Sequence, residues 1–251
     1  MVSQSLDVFQ SLSAQAYEIS KPKPPEDAYA FYKNYIKNAN GLALEPMCGA
    51  GRFLIPLLEE GLPIQGFDGS DAMLEILRSK AKLKNLHPTV WKSYLQNLAK
   101  PDRYNIIFIP SGSFCIITDK DMVKASLRAF YTHLENDGIF VFEAKTPKSI
   151  PPSGIWRGSK WTRADGKKII AFQCSSLEGN ICSFVNKYEL FHDNKIILTE
   201  IEELNVRIYD PEEMVAILKD VGFRSVKMIK AFDPKRPPDN SDETIVYECH
   251  R

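Results

Sequence analysis

The chain has 251 residues, 44% of them apolar and 25% charged, with 32 Lys and Arg against 32 Asp and Glu. That length suits one or two globular domains whose core needs no covalent staples. The zero formal charge argues against a duplex nucleic-acid binder, which usually shows a basic face, and no apolar run approaches the ~20 residues of a membrane span.

Residues 1–20 read as an amphipathic start, with Leu6, Phe9, Leu12 and Tyr17 as apolar points. KPKPPED (21–27) breaks the chain and sets up a helix over AYAFYKNYIKN, which carries an aromatic side. Strand and helix signals then alternate. GLALEP (41–46) is a short apolar strand, and RFLIPLLEEG (52–61) a helix stopped by glycine. LPIQGFDGS holds a second strand ending near Asp68. DAMLEILRSKAKL follows as a helix with Ser70 or Asp71 at its N-cap. TVWKSYL (89–95) and YNIIFIP (104–110) are the third and fourth strands, the latter apolar enough to be buried on both faces. DKDMVKASLRAFYTHLEN is a helix that Asn136-Asp137-Gly138 should end, and IFVFEAK (139–145) is a fifth strand. Strands separated by helices predict a parallel sheet with right-handed crossovers.

After Pro147 the texture changes. Strand-like stretches over 156–207 are parted by turn signals at 165–166, 178–180 and 192–194, the pattern of antiparallel hairpins. DPEEMVAILKDVGF (210–223) is a helix with Asp210 as N-cap, Pro211 at its first position and Gly222 past its end. SVKMIKAF and TIVYECH are two last strands. The expectation is a doubly wound α/β fold with a mostly parallel seven-stranded sheet and an antiparallel β insertion. It divides into an N-terminal helical segment (1–40), a Rossmann-like domain (41–150 and 208–251) and the insertion (151–207).

Five cysteines, Cys48, Cys115, Cys174, Cys182 and Cys249, make an odd number with no CxxC pair. Neither disulfides nor zinc are expected, and a reducing, cytoplasmic setting fits. The N-terminus lacks a basic start followed by an apolar run, so no signal peptide is expected. Arg78, Lys80, Lys82 and Lys84 cluster at helical spacing and read as a solvated face.

Chemistry concentrates in Glu45-Pro46-Met47-Cys48-Gly49-Ala50-Gly51-Arg52, set between a strand and a helix. Glycines there allow a sharp turn and close approach of a ligand to the main chain. Asp68 lies 19 residues after Gly49, where an acid accepts hydrogen bonds from ribose hydroxyls. A dinucleotide site would want Gly or Ala at the position held by the bulky Leu54. S-adenosylmethionine (SAM) carries no phosphate and does carry an ammonium, which a carboxylate such as Glu45 suits. Cys48 has no base nearby in sequence and reads as a small loop residue.

LALEPMCGAGRFLIPLLEEG, IQGFDGSDAMLEILRSK and YNIIFIPSGSF resemble the first, second and fourth motifs of class I SAM-dependent methyltransferases, most clearly over ~40–145. The resemblance implies SAM as cofactor and S-adenosylhomocysteine as product. Carried over, Gly49 and Gly51 contact the methionyl part, Asp68 holds the ribose, Leu95 and Gln96 flank the adenine, and Met73 stands where a side chain packs on the adenine. Glu45, Arg52, Gly69, Ser70, Pro110 and Ser111 complete the expected cofactor-binding set. Met73 equally suits helix packing. Tyr17 resembles a position in an N-terminal segment that closes over the cofactor, and equally suits a hydrophobic anchor. The family usually has glycine where this chain has Met47, and Tyr94 or Asn97 stands near the place of an acid before the adenine site.

The glycine loop also resembles that of nucleic-acid amino-methyltransferases. Those need a (D/N)PP(Y/F) motif, whereas Ile109-Pro110-Ser111-Gly112-Ser113-Phe114 stands here. The β insertion and RIYDPEEMVAILKDVGF instead resemble small-molecule N- and O-methyltransferases, in which such an insertion roofs the acceptor pocket and can build a homodimer interface. Methyl transfer is a direct displacement, so a general base is needed only if the acceptor must lose a proton. Candidates on the acceptor side are Glu143, at the end of the fifth strand, with Tyr209, His192 and His133. Trp156 and Trp161 line the pocket or form roof core. The alternatives are a nicotinamide-dependent oxidoreductase and a non-catalytic SAM-binding module.

Overall fold

A computed structural model describes Phe9 and residues 11–251; Leu6 and the rest of the start fall outside the described residues. Helices α1 (Ser11–Ser20) and α2 (Glu26–Asn38) lead into β1 (Ala43–Pro46), α3 (Leu54–Glu59), β2 (Ile64–Asp68), α4 (Asp71–Leu83), β3 (Thr89–Lys92), β4 (Tyr104–Ile109), α5 (Lys120–His133) and β5 (Leu134–Lys145). Strands β6 (Arg157–Thr162), β7 (Lys168–Glu178), β8 (Ile181–His192) and β9 (Lys195–Arg207) follow, then α6 (Pro211–Val221), β10 (Ser225–Lys230) and β11 (Thr244–His250).

Two sheets result. One has seven strands in the order β10-β11-β5-β4-β1-β2-β3; the other has four, in the order β6-β7-β8-β9. In the first, β11 alone runs antiparallel to both its neighbours. This is the expected seven-stranded, mostly parallel sheet with an antiparallel insertion. β4 pairs on both edges and is almost wholly buried, as its continuous apolar run requires. Apolar clusters cover both faces of the sheet. One gathers Phe114, Phe130, Phe140 and Phe142 under α5 and α6; the other gathers Tyr32, Phe53, Leu74 and Leu77 under α2, α3 and α4.

Local chemistry starts the helices, at Ser70 and Asp210 as the sequence predicts and at Asp119 as well. The Ser70 side chain accepts from the Met73 N–H, Asp119 from Met122, and Asp210 from Glu212 and Glu213. Gly222 closes α6 at φ 120°, a conformation that glycine tolerates best. One boundary differs. α5 stops at His133 and the chain enters β5 at once, so Asn136-Asp137-Gly138 lies inside the strand rather than in a loop. The register with β4 shifts there, and a Cβ on Gly138 would stand 3.0 Å from the Glu135 main chain and the Tyr104 carbonyl. The glycine serves a bulge, which carries the same local signal as a turn.

Helix α1 is packed between the two sheets. Leu12 and Ala16 pack on Ile169 and Leu190 of the four-stranded sheet, while Ala14 meets Ala50 and Met73 beside the glycine loop. Its first turn is held by carboxylates. Glu200 accepts from the Leu12 and Ser13 N–H groups at 2.8 and 3.1 Å. Glu202 accepts from Phe9 N–H and Ser13 Oγ. Acids at a helix N-terminus satisfy donors that have no partner within the helix.

Candidate active site

A cavity of 240 Å³ opens at the C-terminal ends of β1, β2, β4 and β5, where ligands bind in open α/β sheets. Its floor is the segment after β1. Met47, Gly49 and Gly51 there take φ values of 57°, 52° and 74°. Met47 therefore holds the left-handed conformation that glycine adopts more cheaply, at the position where the sequence departs from the family pattern. Gly49 lines the cavity. Gly51 does not; a Cβ there would lie 2.8 Å from Ile55 Cγ1 and 2.9 Å from Leu77 Cγ. The missing Cβ lets α3 and α4 close together there.

The Leu54 side chain is fully buried, and its Cδ1 lies 2.5 Å from where a Cβ on Gly66 would be. In dinucleotide sites the small residue that lets helix and strand approach sits on the helix. Here the clearance is on β2 and the bulk on α3. The nicotinamide alternative gains nothing from this arrangement.

Two carboxylates face the cavity. Asp68 accepts from the N–H groups of Gly49 and Ser70, both at 2.8 Å, which ties the end of β2 to the glycine loop. Burial raises its pKa and these backbone bonds oppose the rise. Glu45 is 2% exposed, and its Oε2 has no hydrogen-bond partner among the described residues. Burial, with Asp68 adding repulsion, holds its carboxyl well above the usual range. A buried acid without a partner is expensive unless a ligand supplies a donor or a positive charge.

The remaining expected cofactor residues divide as follows. Tyr17, Arg52, Gly69, Ser70, Met73, Leu95, Pro110 and Ser111 all line the cavity. Gln96 does not. It sits in the short 3₁₀ turn Leu95–Asn97, whose Leu95 points inward instead. Tyr94 lines the wall too, its ring 2.9 Å from where a Cβ on Gly69 would stand. Met73 touches both readings, lining the cavity and packing with Ala14 and Ala50.

The acceptor-side expectations fare differently. Glu143 is buried and does not line the cavity; its Oε1 accepts from Tyr32 Oη at 2.9 Å and Ser111 N–H at 2.8 Å. It braces the loop after β4, where Ser111 (φ 64°) and Gly112 (φ 68°) are both left-handed. Tyr209 is fully buried beside Phe114 in the main core and does not line the cavity; its hydroxyl has no hydrogen-bond partner among the described residues. His192 ends β8, half exposed and 3.4 Å from Asp193, and the hairpin keeps it out of the cavity. His133 bonds the Ala129 carbonyl on its own helix. Trp161 packs with Leu12 and Ala16 of α1 on the four-stranded sheet, and Trp156 is exposed. Burial pushes the Cys48 thiol well up, which suits no nucleophile.

Sequence reasoning missed several lining residues. Lys21 follows α1, Lys145 ends β5, and Leu204 and Val206 come from the inner face of β9. Lys145 was within reach: a period of two from Glu143 puts it on the same side of the strand. Its Nζ donates to Thr244 Oγ1 at 2.8 Å.

Residues 43–138 match a family described as a methyltransferase domain. That stretch holds β1 to β4, the glycine loop and Asp68. Two relatives named only as methyltransferases are similar along nearly their whole length. One, of Geobacillus sp. (strain WCH70), is 22% identical over 91% of this chain and 94% of its own. The other, YqeM of Bacillus subtilis (strain 168), is 21% identical over 91% and 92%. Among solved structures, a SAM-dependent methyltransferase from Clostridium acetobutylicum ATCC 824 superposes with a TM-score of 0.77 at 18% identity, over 94% of this chain and 96% of that one. The sugar N-methyltransferase KedS8 from Streptoalloteichus sp ATCC 53650 gives 0.78 at 14%, over 98% and 94%. At these identities the structural likeness establishes the fold. It extends through the four-stranded sheet as well as the methyltransferase domain.

Proposed function

We propose that this methyltransferase takes its methyl group from SAM and passes it to nitrogen or oxygen of a small molecule. The observation that carries the cofactor is Glu45, a buried carboxylate with an unpartnered oxygen facing the cavity beside Asp68. The residues fit the group. Glu45 would meet the ammonium and Asp68 the ribose hydroxyls. Met73, Tyr94 and Leu95 would flank the adenine, and Tyr17 and Phe9 of the N-terminal segment would cover it. When bound, SAM supplies an electrophilic methyl on a good leaving group. The chain's own part is to hold the acceptor in line and keep water out. No described side chain at the wall after β4 is a ready base, which suits an acceptor that attacks as a free amine or an already ionised oxygen.

A small acceptor agrees with a cavity closed above by Leu204 and Val206 of β9. The sugar N-methyltransferase activity of KedS8 belongs to that protein, and here supports only the class of acceptor. The division into an N-terminal cover (1–40), the Rossmann-like domain (41–150 and 208–251) and a roof (151–207) is part of the same proposal, as is a cytoplasmic location. So is a homodimer through the outer face of the roof.

Calorimetric titration with SAM and, separately, NADH tests the reading. SAM should bind and NADH should not. Asp68→Ala should weaken SAM by about 2–3 kcal/mol, the scale of hydrogen bonds to a charged group. Well-folded protein that ignores SAM would sink it.

A further inference from the structure

The cavity is polarised. Glu45 and Asp68 lie at the ends of β1 and β2, while three cations, Lys21, Arg52 and Lys145, line the same cavity. Among the described residues none of the three forms an ion pair. Lys145 donates to the Thr244 hydroxyl, Arg52 Nε to the Lys23 carbonyl at 2.8 Å, and Lys21 Nζ stands 5.2 Å from the Tyr17 ring centroid. Several cations elsewhere do pair. Lys80 pairs with Glu18, Lys84 with Glu59 and Arg207 with Glu213.

The three come from separate elements: the link after α1, the start of the α3 region and the end of β5. They are close enough to feel one another, and Lys21 is lowered by partial burial and then by the charges of Arg52 and Lys145. Glu143 is the acid whose charge Lys145 and Arg52 feel, and it is already engaged by Tyr32 and Ser111, so among the described residues the three like charges lack a directly paired acid. A bound anion supplies that charge and gains charge-assisted hydrogen bonds.

SAM has one carboxylate, which one or two of these cations can satisfy. Lys145 is placed for something else. The strand order β5-β4-β1-β2 sets it three strands from Asp68, about 14 Å at ordinary strand spacing, on the far side of the loop Ser111–Ser113. That flank is where the acceptor must lie if Glu45 and Asp68 hold the cofactor.

We propose that Lys145, with Lys21, seats an anionic oxygen group of the methyl acceptor, a carboxylate or a phosphate, beside the cofactor. The acceptor then carries an acid or phosphate group besides the nitrogen or oxygen that is methylated. This rests on the cofactor reading above.

Inorganic phosphate and acetate serve as probes, titrated into the full chain at constant ionic strength against chloride, with and without saturating S-adenosylhomocysteine. The expected result is a thermal midpoint raised by phosphate or acetate in the S-adenosylhomocysteine complex, the better probe marking the better-matched group. In Lys145→Met and Lys21→Met the apparent affinity for that probe should fall about tenfold, a loss of one charge-assisted contact, while S-adenosylhomocysteine affinity stays within about twofold. Unchanged S-adenosylhomocysteine binding also reports that each variant is folded. An anion effect that disappears once S-adenosylhomocysteine is bound would overturn the proposal, because the cations would then serve the cofactor's own carboxylate. So would no anion effect in the unaltered protein, or one that both variants retain. Failure of S-adenosylhomocysteine itself to bind would instead refute the cofactor reading, and the titration without it still measures the anion site.

Discussion

Glu45 is the residue on which the cofactor proposal turns, and its protonation gives a second handle on it. In the free protein burial keeps its proton on above about 4.3, the pH at which an unfolded glutamate loses it. The folded state then holds a proton the unfolded state has released, so this group costs stability as pH rises through that window. An ammonium beside the carboxylate reverses the preference. SAM binding should therefore expel a proton, and affinity should rise with pH across the same window. Titration in two buffers of different ionisation heat would show the release as a difference in apparent enthalpy. Glu45→Gln should bind more weakly and abolish that difference; equal heats in the unaltered protein would remove Glu45 from the ammonium site.

At the scale of elements, the docking of α1 invites a test. Glu200 and Glu202 bind its first turn from the inner face of β9. Replacing both with Gln should weaken docking by about 2 kcal/mol, and amides of residues 12–20 should then exchange about thirtyfold faster while the seven-stranded sheet keeps its protection. Cofactor release should quicken in parallel, since Phe9 and Tyr17 line the cavity beside the docked α1. Much of this element map was legible in the sequence. Caps at Ser70 and Asp210, the glycine after α6 and the three hairpin turns are local chemistry, written in adjacent residues. The end of α5 was not, because Asn136-Asp137-Gly138 means a turn or a bulge according to the strand that lies alongside. The site split in the same way. Gly49 and Asp68 stand at fixed offsets along one strand–loop–helix unit. Lys21, Lys145, Leu204 and Val206 come from segments that only the tertiary fold brings together. Glu143 points the right way along its strand, yet Ser111 and Tyr32 intercept its carboxylate.

At the scale of the molecule, the four-stranded sheet leaves an apolar surface uncovered. Phe172 of β7, Val185 of β8 and Ile201 of β9 share the outer face by register, with Ile197 exposed at the nearby irregularity, and Ile201 is 67% exposed. A patch of this kind on a polar-rimmed sheet marks an interaction surface, and a second copy is the commonest partner. Light scattering behind size exclusion should find a dimer, and Ile201→Asp should shift it to monomer with the melting curve of the sheet intact. A monomer at high concentration would leave that face without a role in self-association.

Strand β11 has a consequence for how the chain is made. It is the last strand in the sequence, yet it lies between β5 and β10 rather than at an edge. Until its seven residues arrive, β5 presents a bare edge and β10 has no neighbour in the sheet. At ordinary ribosomal speed, synthesis of the stretch from β5 to β11 takes roughly 5–20 s. For that interval the nascent protein exposes a row of unpaired backbone groups flanked by Phe140 and Phe142, so its yield in the cell should depend on chaperones more than the stability of the finished fold would suggest.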